Sequence, residues 1–385
     1  MTGLKTVWIG TRPFRPILVI LILLLLGFSI ALPGFATGVN LQNILTSVSV
    51  VWIVSMGMTF VLISGGLDLS VAAIASLSAI LMAKLLEAHV PDVLTLLLAV
   101  AFGFVLGGVV NGLLVGYLRL SVFVVTLASL TALTGAINLW TNTQSFYLTA
   151  SLPTAIATDK WLGVQIPIWI MVAVFLLGLY LQRRTYYGRN VYAIGGSVQA
   201  ARLSGVRTGA TLTGVYAIVG ACAGLGGVVA ASRAGAATPQ IDTNLALLSI
   251  AAVLLGGTSL TGGYGGVWGT AVGVLFLGTL QNGLSLAGIS SFWQQVVTGV
   301  ILVAAVLLDR VQGRSWARRG SRRTRSPQER VIESVPAPDT RVDPASGRRR
   351  PSERPMNGDQ RPPARNHRSW TSLLPENDAD GQQPK

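Results

Sequence analysis

Long apolar runs separated by short polar segments dominate the first 310 residues of the chain. A helix that spans the hydrocarbon core of a bilayer needs about 20 mostly apolar residues. By that length the pattern predicts about ten spans, near residues 14–32, 45–64, 69–87, 93–117, 121–141, 166–182, 209–232, 245–260, 266–287 and 291–309. A signal peptide is the alternative for the first run, but the polytopic pattern that follows favours a retained helix. We therefore expect an all-α, polytopic membrane bundle of about ten transmembrane helices.

The charged residues divide the chain into two parts. Residues 1–310 hold 13 Lys or Arg and 6 Asp or Glu, while residues 311–385 hold 16 and 9. The last segment is rich in Pro, Ser and Arg and has almost no apolar periodicity, so it cannot bury enough surface to fold alone. We expect a transmembrane domain over 1–310 and a disordered, basic tail over 311–385 whose arginines lie near anionic membrane lipids. A nucleic-acid role is disfavoured, because no aromatic-interleaved basic domain accompanies the tail.

Lys and Arg set the predicted orientation, because the cytoplasmic loops of membrane proteins carry an excess of both. Three basic residues, Lys5, Arg12 and Arg15, precede the first span and place the N-terminus in the cytoplasm. Alternation over ten spans then places these arginines on the same side: Arg119, Arg183, Arg184, Arg189, Arg202, Arg207 and Arg310. The opposite side has one basic residue in segments 33–44, 142–165 and 288–290, with Lys84 and Arg233 as exceptions. Both termini are therefore predicted to be cytoplasmic.

The sequence lacks the motifs of the common energy-coupling chemistries. No G-x-x-x-x-G-K-[ST] phosphate loop occurs, and the run GGTSLTGGYGG at 256–266 contains no lysine. Cys222 is the single cysteine, and His89 and His367 lie too far apart for a metal cluster. The predicted spans hold few ionisable residues, so a proton relay has little to work with. We expect that this chain is not an enzyme, binds no cofactor and relies on another chain for any uphill transport.

A single charged residue, Asp68, interrupts the apolar sequence between Arg15 and Lys84. Two glycines precede it in ISGGLDLSV, residues 63–71, which is typical of a helix N-terminus where a carboxylate caps free N–H groups. The predicted topology places Asp68 at the cytoplasmic boundary, near water or headgroups. A plain structural cap and a role at a moving helix junction are both open, since glycine-interrupted helices are common where transporters bind or gate.

The segment YYGRNVYAIGGSVQAARLSGVRTG, residues 186–209, forms the most basic of the predicted inner loops. Ser197 is predicted to cap a short helix from Val198 to Leu203, and Gly205 is predicted to end it. A short helix that lies under the membrane suits docking onto a soluble partner. A positively charged retention loop is the alternative.

Four segments resemble the ribose-type permease family: ISGGLDLSV at 63–71, NGLLVGYLRLSVFVVTLASL at 111–130, YAIGGSVQAARLSGV at 192–206, and most of 250–309. Members of that family are inner-membrane permease subunits of ABC importers for ribose, xylose, galactose and related solutes. The resemblance covers about residues 14–310. It implies a second permease, either another copy of this chain or a homologous one. It also implies an ATPase subunit that binds ATP and Mg²⁺, and an extracytoplasmic solute-binding protein.

The resemblance also implies site residues. The loop helix looks like the family's coupling helix, which lies in a groove of the ATPase. The residues that match it are Gly195, Gly196, Gln199, Ala200, Ala201, Arg202, Leu203 and Gly205. Small residues there would let the helix seat closely, and Arg202 would meet an acidic rim. Asp68 matches the family's Gly-Gly-x-Asp-Leu-Ser segment.

Polar residues elsewhere in the spans are further candidates for the translocation path or gate. With Asp68, they are Asn111, Gln281, Asn282, Gln294 and Gln295. Uncharged amides suit a neutral polyol, because they donate and accept hydrogen bonds without a fixed charge. Amides also hold membrane helices together, so helix packing is an equal alternative for each of them.

The sequence thus predicts the permease subunit of an ATP-driven ABC importer for a monosaccharide or a similar small neutral solute in the bacterial cytoplasmic membrane. An energy-independent carrier or channel is one alternative, and it predicts transport with no ATPase partner. A membrane scaffold with a recruiting tail is another, and it predicts that deletion of residues 311–385 abolishes function.

Overall fold

The computed structural model describes residues 15–241, 244–301, 303–304 and 307. The tail predicted over 311–385 and the basic residues Lys5 and Arg12 lie outside these residues. Within them the secondary structure is almost entirely helical, which confirms the predicted all-α class. Four two-residue strands form two antiparallel pairs, β1 (Phe146–Tyr147) with β4 (Ala236–Ala237) and β2 (Lys160–Trp161) with β3 (Val164–Gln165). Phe146 lies opposite Ala237 in the first pair, and Lys160 opposite Gln165 in the second.

The helices follow one another through the chain with short connections. They are α1 (Arg15–Ala31), α2 (Gly38–Ile63), α3 (Val71–Glu87), α4 (Asp92–Val105), α5 (Leu113–Gly116), α6 (Val122–Thr141), α7 (Ser151–Thr158), α8 (Ile166–Arg184), α9 (Tyr186–Gly196), α10 (Val198–Leu203), α11 (Thr208–Ala234), α12 (Leu245–Leu255) and α13 (Val267–Leu286). A π-helical turn, Leu106–Gly112, joins α4 to α5. Residues 291–301 are also helical, and we call them the final helical segment.

Five helical stretches are long and apolar enough to cross a membrane: Gly38–Ile63, Asp92–Gly116, Val122–Thr141, Ile166–Arg184 and Thr208–Ala234. Each of the other predicted spans also contains helix among the described residues, but in shorter pieces. α12 has 11 residues, or about 16 Å of length, which is well below the roughly 30 Å of the hydrocarbon core. The span predicted over 245–260 is therefore too long, because the helix ends at Gly256 and Gly257 has a left-handed backbone.

α11 lies at the centre of the bundle, with α2, α3 and α4 packed around it. The side chains of Met56, Phe60, Ile74 and Tyr216 are fully or almost fully buried in this core. α6 and α8 lie at the periphery and leave many of their apolar side chains exposed. An exposed apolar surface of that kind suits lipid or a second membrane subunit.

Glycines allow α11 to contact the stretch from α4 to α5 at backbone distance. Four glycines of this stretch face α11 with no room for a side chain: Gly103, Gly107, Gly112 and Gly116. A Cβ added at Gly107 would overlap the carbonyl oxygen of Tyr216, and one at Gly112 would lie 2.8 Å from the Cα of Thr213. Their spacing is four, five and four residues, and the five-residue step falls in the π-helical turn. The packing role predicted from glycines at four-residue spacing is confirmed.

We expect Gly107→Ala to lower the stability of the folded chain by about 1–3 kcal/mol, which is the usual cost of overpacking a filled interior. Gly135→Ala in α6 is the matched control, since a Cβ at Gly135 meets nothing within 4 Å. The measurement is the midpoint of thermal unfolding in detergent. Equal midpoints for the two variants would contradict the backbone contact described here.

Candidate functional site

Three glycine pairs from distant parts of the sequence meet at one place. Residues 65–66 follow α2, residues 195–196 end α9, and residues 262–263 lie between α12 and α13. The backbone N–H of Gly263 donates to the carbonyl oxygen of Ile63 at 2.9 Å. A Cβ at Gly262 would lie 2.8 Å from the amide nitrogen of Gly65 and 3.0 Å from the Cα of Gly195. We call this contact the glycine junction; it brings together three motifs that the sequence identified separately.

The two glycines at the end of α9 have different surroundings, although both were predicted in the coupling loop. A Cβ at Gly195 would overlap the carbonyl oxygen of Ile63 and crowd the amide nitrogen of Gly263. A Cβ at Gly196 would meet nothing within 4 Å. Gly195 therefore packs against the chain's own bundle, while Gly196 faces away from it.

A chain of hydrogen bonds fixes α9 to the start of α13. The hydroxyl of Tyr192 donates to the carbonyl oxygen of Gly265 at 2.6 Å and accepts from Nε2 of Gln182 at 2.7 Å. Oε1 of Gln182 accepts from the backbone N–H of Val267 at 2.9 Å. Burial raises the pKa of Tyr192 to about 12, against a smaller lowering by the hydrogen bond from Gln182, so the hydroxyl stays protonated and continues to donate. The sequence gave no signal for either side chain, because neither belongs to a motif with a recognised spacing.

α10 presents most of its residues outward. Ser197 accepts from the backbone N–H of Ala200 at 3.2 Å and caps the helix as predicted, and Gly205, with φ of +84°, lies just beyond its end. Ala201 is 4% exposed and faces the bundle, whereas Leu203 is 88% exposed. The other outward residues of α10 are Val198, Gln199, Ala200 and Arg202.

Asp68 belongs to a buried polar cluster with Ser70, Asn111 and Ser129. Its Oδ1 accepts from the backbone N–H of Ser70 at 2.8 Å and from the Ser70 hydroxyl at 2.6 Å. Nδ2 of Asn111 donates to Oδ2 of Asp68 at 3.3 Å and to the Ser70 hydroxyl at 2.7 Å. The hydroxyl of Ser129 donates to Oδ1 of Asn111 at 2.6 Å. The cluster thus joins the α2–α3 connection, the π-helical turn and α6.

This arrangement differs from the predicted helix cap in two ways. Ser70 is the N-cap residue of α3, and the Asp68 carboxylate accepts from the Ser70 amide instead of from the first turn of the helix. Asp68 is also 0% exposed, instead of lying beside water or headgroups. Hydrogen bonds from Ser70 and Asn111 take the place of water around the charge, and such bonds strengthen when water is excluded. Two predicted site residues, Asp68 and Asn111, are therefore brought together.

Three other predicted residues line a common cleft of about 420 Å³. Gln281 comes from α13, and Gln294 and Gln295 come from the final helical segment. The remaining residues that line it are Asn244, Leu247, Leu248, Ala251, Ser291, Thr298 and Gly299. The described residues around this amide cleft combine amide and hydroxyl groups with aliphatic surface and carry no charge.

Asn282 has a different environment from its neighbour Gln281. Its Nδ2 donates to Oδ1 of Asn40 at 3.0 Å, and Nδ2 of Asn40 donates to Oδ1 of Asn282 at 3.0 Å. The pair joins α2 to α13 and uses the amide of each residue as donor and acceptor. This is the helix-packing alternative that the sequence left open. Asn40 itself was not predicted.

Comparison with known proteins identifies relatives over most of the chain. Residues 40–306 match the sequence model of the family described as "Branched-chain amino acid transport system / permease component". The ribose import permease protein RbsC of Escherichia coli strain K12 is 38% identical over 296 residues, which cover 76% of this chain and 92% of the relative. RbsC of Bacillus subtilis strain 168 is 38% identical over 307 residues, covering 77% and 92%.

A third relative, the L-arabinose ABC transporter permease protein AraH of Azospirillum brasilense, is 34% identical over 297 residues, covering 76% of this chain and 86% of the relative. No solved structure gives a significant match to the chain.

We expect Asp68→Asn to destabilise the fold by about 1–3 kcal/mol, the cost of leaving a buried polar group unsatisfied. The new amide turns a donor toward Nδ2 of Asn111, so two donors face each other where a carboxylate oxygen now accepts. Asp159→Asn is the control, because Asp159 is exposed. The readout is the thermal midpoint in detergent, and a midpoint unchanged from the wild-type value would refute the role of the carboxylate in this cluster.

Proposed function

The chain belongs to this family of transport-system permease components, and on that premise we propose that it forms the path of an ATP-driven importer for a monosaccharide or a similar neutral solute. It is a transport subunit and not an enzyme. The observation that carries the proposal is the similarity to ribose and arabinose permeases over about three quarters of the chain, on the matched 76%.

The amide cleft supports a sugar over an amino acid as the solute. The family description names branched-chain amino acids, whereas the relatives named above carry ribose and arabinose in their names. A zwitterion that leaves water needs partners for both of its charges. A neutral polyol needs only donors and acceptors, which the amides and hydroxyls of the amide cleft supply. Its aliphatic wall suits the C–H face of a sugar ring.

Contacts between loops support ten spans with both termini in the cytoplasm. The three segments that meet at the glycine junction are all assigned to the cytoplasmic side by the alternation of spans. Segments assigned to the opposite side also contact one another: β1 pairs with β4, Gln42 donates to the carbonyl oxygen of Gly163 at 3.1 Å, and the Ser151 hydroxyl donates to Asp92 at 2.7 Å. Loops on opposite sides of a membrane could not meet in this way.

The outward surface of α10 supports an ATPase partner on the cytoplasmic side. A six-residue helix with Arg202 and Leu203 exposed offers a charged and an apolar contact to a groove. In the proposed assembly, the ATPase binds ATP and Mg²⁺ and this chain binds neither. A solute-binding protein docks on the outer side, a second copy or a homologous permease completes the path, and membrane lipids surround the pair. ATP binding and hydrolysis then move α10, and the bundle alternates between inward-open and outward-open states.

We expect Arg202→Glu to release the ATPase and to reduce ribose uptake by roughly tenfold or more, since a like charge placed at an interface costs several kcal/mol. Arg184→Glu, with the same charge change at the exposed end of α8, is the control. The measurements are co-purification of the ATPase from native membranes and uptake of labelled ribose into proteoliposomes. Uptake that persists when the ATPase is lost would favour an energy-independent carrier.

Two neighbouring substitutions separate the path from helix packing. Gln281→Leu should raise the KM for ribose by about two- to tenfold, the effect of one net hydrogen bond, with an unchanged thermal midpoint. Asn282→Leu should lower the thermal midpoint, because Asn40 loses its partner. An unchanged KM in Gln281→Leu would remove the amide cleft from the path.

A further inference from the structure

We infer that Gly195 and Tyr192 are positioning residues that make α9 a rigid connection between the ATPase-facing α10 and the helix breaks after α2 and before α13. The inference rests on the proposed function, because the partner ATPase is what moves α10. It assigns to these two residues a role inside the bundle instead of at the partner's surface.

The first step is the direct link between α10 and α9. One residue, Ser197, is both the C-cap of α9 and the N-cap of α10. Its backbone N–H donates to the carbonyl oxygen of Ala193 at 3.1 Å, and its side chain accepts from Ala200 at 3.2 Å. With both sides of this residue hydrogen-bonded, a displacement of α10 reaches the end of α9 directly.

The second step is the contact of Gly195 with two helix breaks at once. The carbonyl oxygen of Ile63, which Gly195 contacts, already accepts from the backbone N–H of Gly263. A movement of Gly195 therefore acts on the end of α2 and on the loop between α12 and α13 together. The segment after Ile63 continues to Leu67, whose carbonyl oxygen accepts from the Tyr216 hydroxyl of α11 at 3.3 Å. The next residue is Asp68, in the buried polar cluster.

The third step is that further attachments prevent α9 from pivoting about Gly195. Tyr192 lies three residues earlier, on the same face of the helix, and donates to the carbonyl oxygen of Gly265. Near the other end of α9, the Tyr187 hydroxyl donates to the carbonyl oxygen of Thr211 in α11 at 3.0 Å. With attachments at both ends, α9 transmits a displacement of α10 instead of absorbing it.

The test compares Gly195→Ala with Gly196→Ala in the complex co-purified from native membranes and reconstituted with its solute-binding protein. The adjacent glycine is a close control, because a Cβ there meets nothing within 4 Å. The readouts are the amount of bound ATPase, the rate of ATP hydrolysis, and labelled ribose transported per ATP hydrolysed. We expect Gly195→Ala to keep the ATPase but lose roughly tenfold in ribose per ATP, within the usual range of coupling between sites. Gly196→Ala should match the wild type.

A second pair of variants covers the case in which Gly195→Ala fails to insert. Tyr192→Phe keeps the ring and removes only the hydroxyl that reaches Gly265, and Tyr186→Phe is its control, with Tyr186 81% exposed on the same helix. We expect Tyr192→Phe to lower ribose transported per ATP by about threefold, the effect of one net hydrogen bond. A purely structural role would lower the thermal midpoint and leave this ratio unchanged.

The outcomes separate this inference from the proposed function. A wild-type complex that takes up neither ribose nor arabinose defeats the proposed function. A wild-type complex that transports, together with unchanged transport per ATP in Gly195→Ala or in Tyr192→Phe, defeats only the positioning role. Loss of the ATPase by Gly195→Ala with retention by Gly196→Ala would also overturn it, since Gly195 would then act at the partner interface.

Discussion

Backbone contact between α11 and the stretch from α4 to α5 is the constraint on which the rest of the bundle depends. Lipid provides no hydrophobic drive between helices, so dispersion contact must hold them together, and it falls steeply with distance. Glycines remove the side chains that would separate the two backbones. Because α2 and α3 pack on the same central helix, this approach also sets their positions. It brings Asn111 within hydrogen-bonding distance of Asp68 and so allows a carboxylate to be buried.

The spans and the glycine packing could be predicted from the sequence because both are local patterns. Apolar runs identified the helices, and four-residue spacing identified glycines that face a neighbour. The surroundings of Asp68 could not be predicted in the same way. Its partners Asn111 and Ser129 lie 43 and 61 positions away, and only the packing of three segments brings them together. A local pattern favoured a helix cap because a cap is the nearest way to satisfy an aspartate after two glycines.

Adjacent residues with the same chemistry were also indistinguishable in sequence. Gln281 and Asn282 are neighbouring amides, yet one lines the amide cleft and the other pairs with Asn40. Successive residues of a helix point about 100° apart, so neighbours face different elements. The same holds for Gly195 and Gly196, of which only the first contacts the bundle. Distinguishing such pairs requires the positions of the neighbouring elements, which no single-chain pattern contains.

The π-helical turn makes a helical wheel misleading for residues 92–116. At about 100° per residue, a wheel drawn for a regular α-helix places Gly103 and Gly112 roughly 180° apart, on opposite sides of the cylinder. Both nevertheless contact α11, because the added residue in the turn restores the phase. A projection that assumes one constant pitch would therefore assign the second half of this stretch to the lipid face, and an amphipathicity profile would average the two halves to nothing.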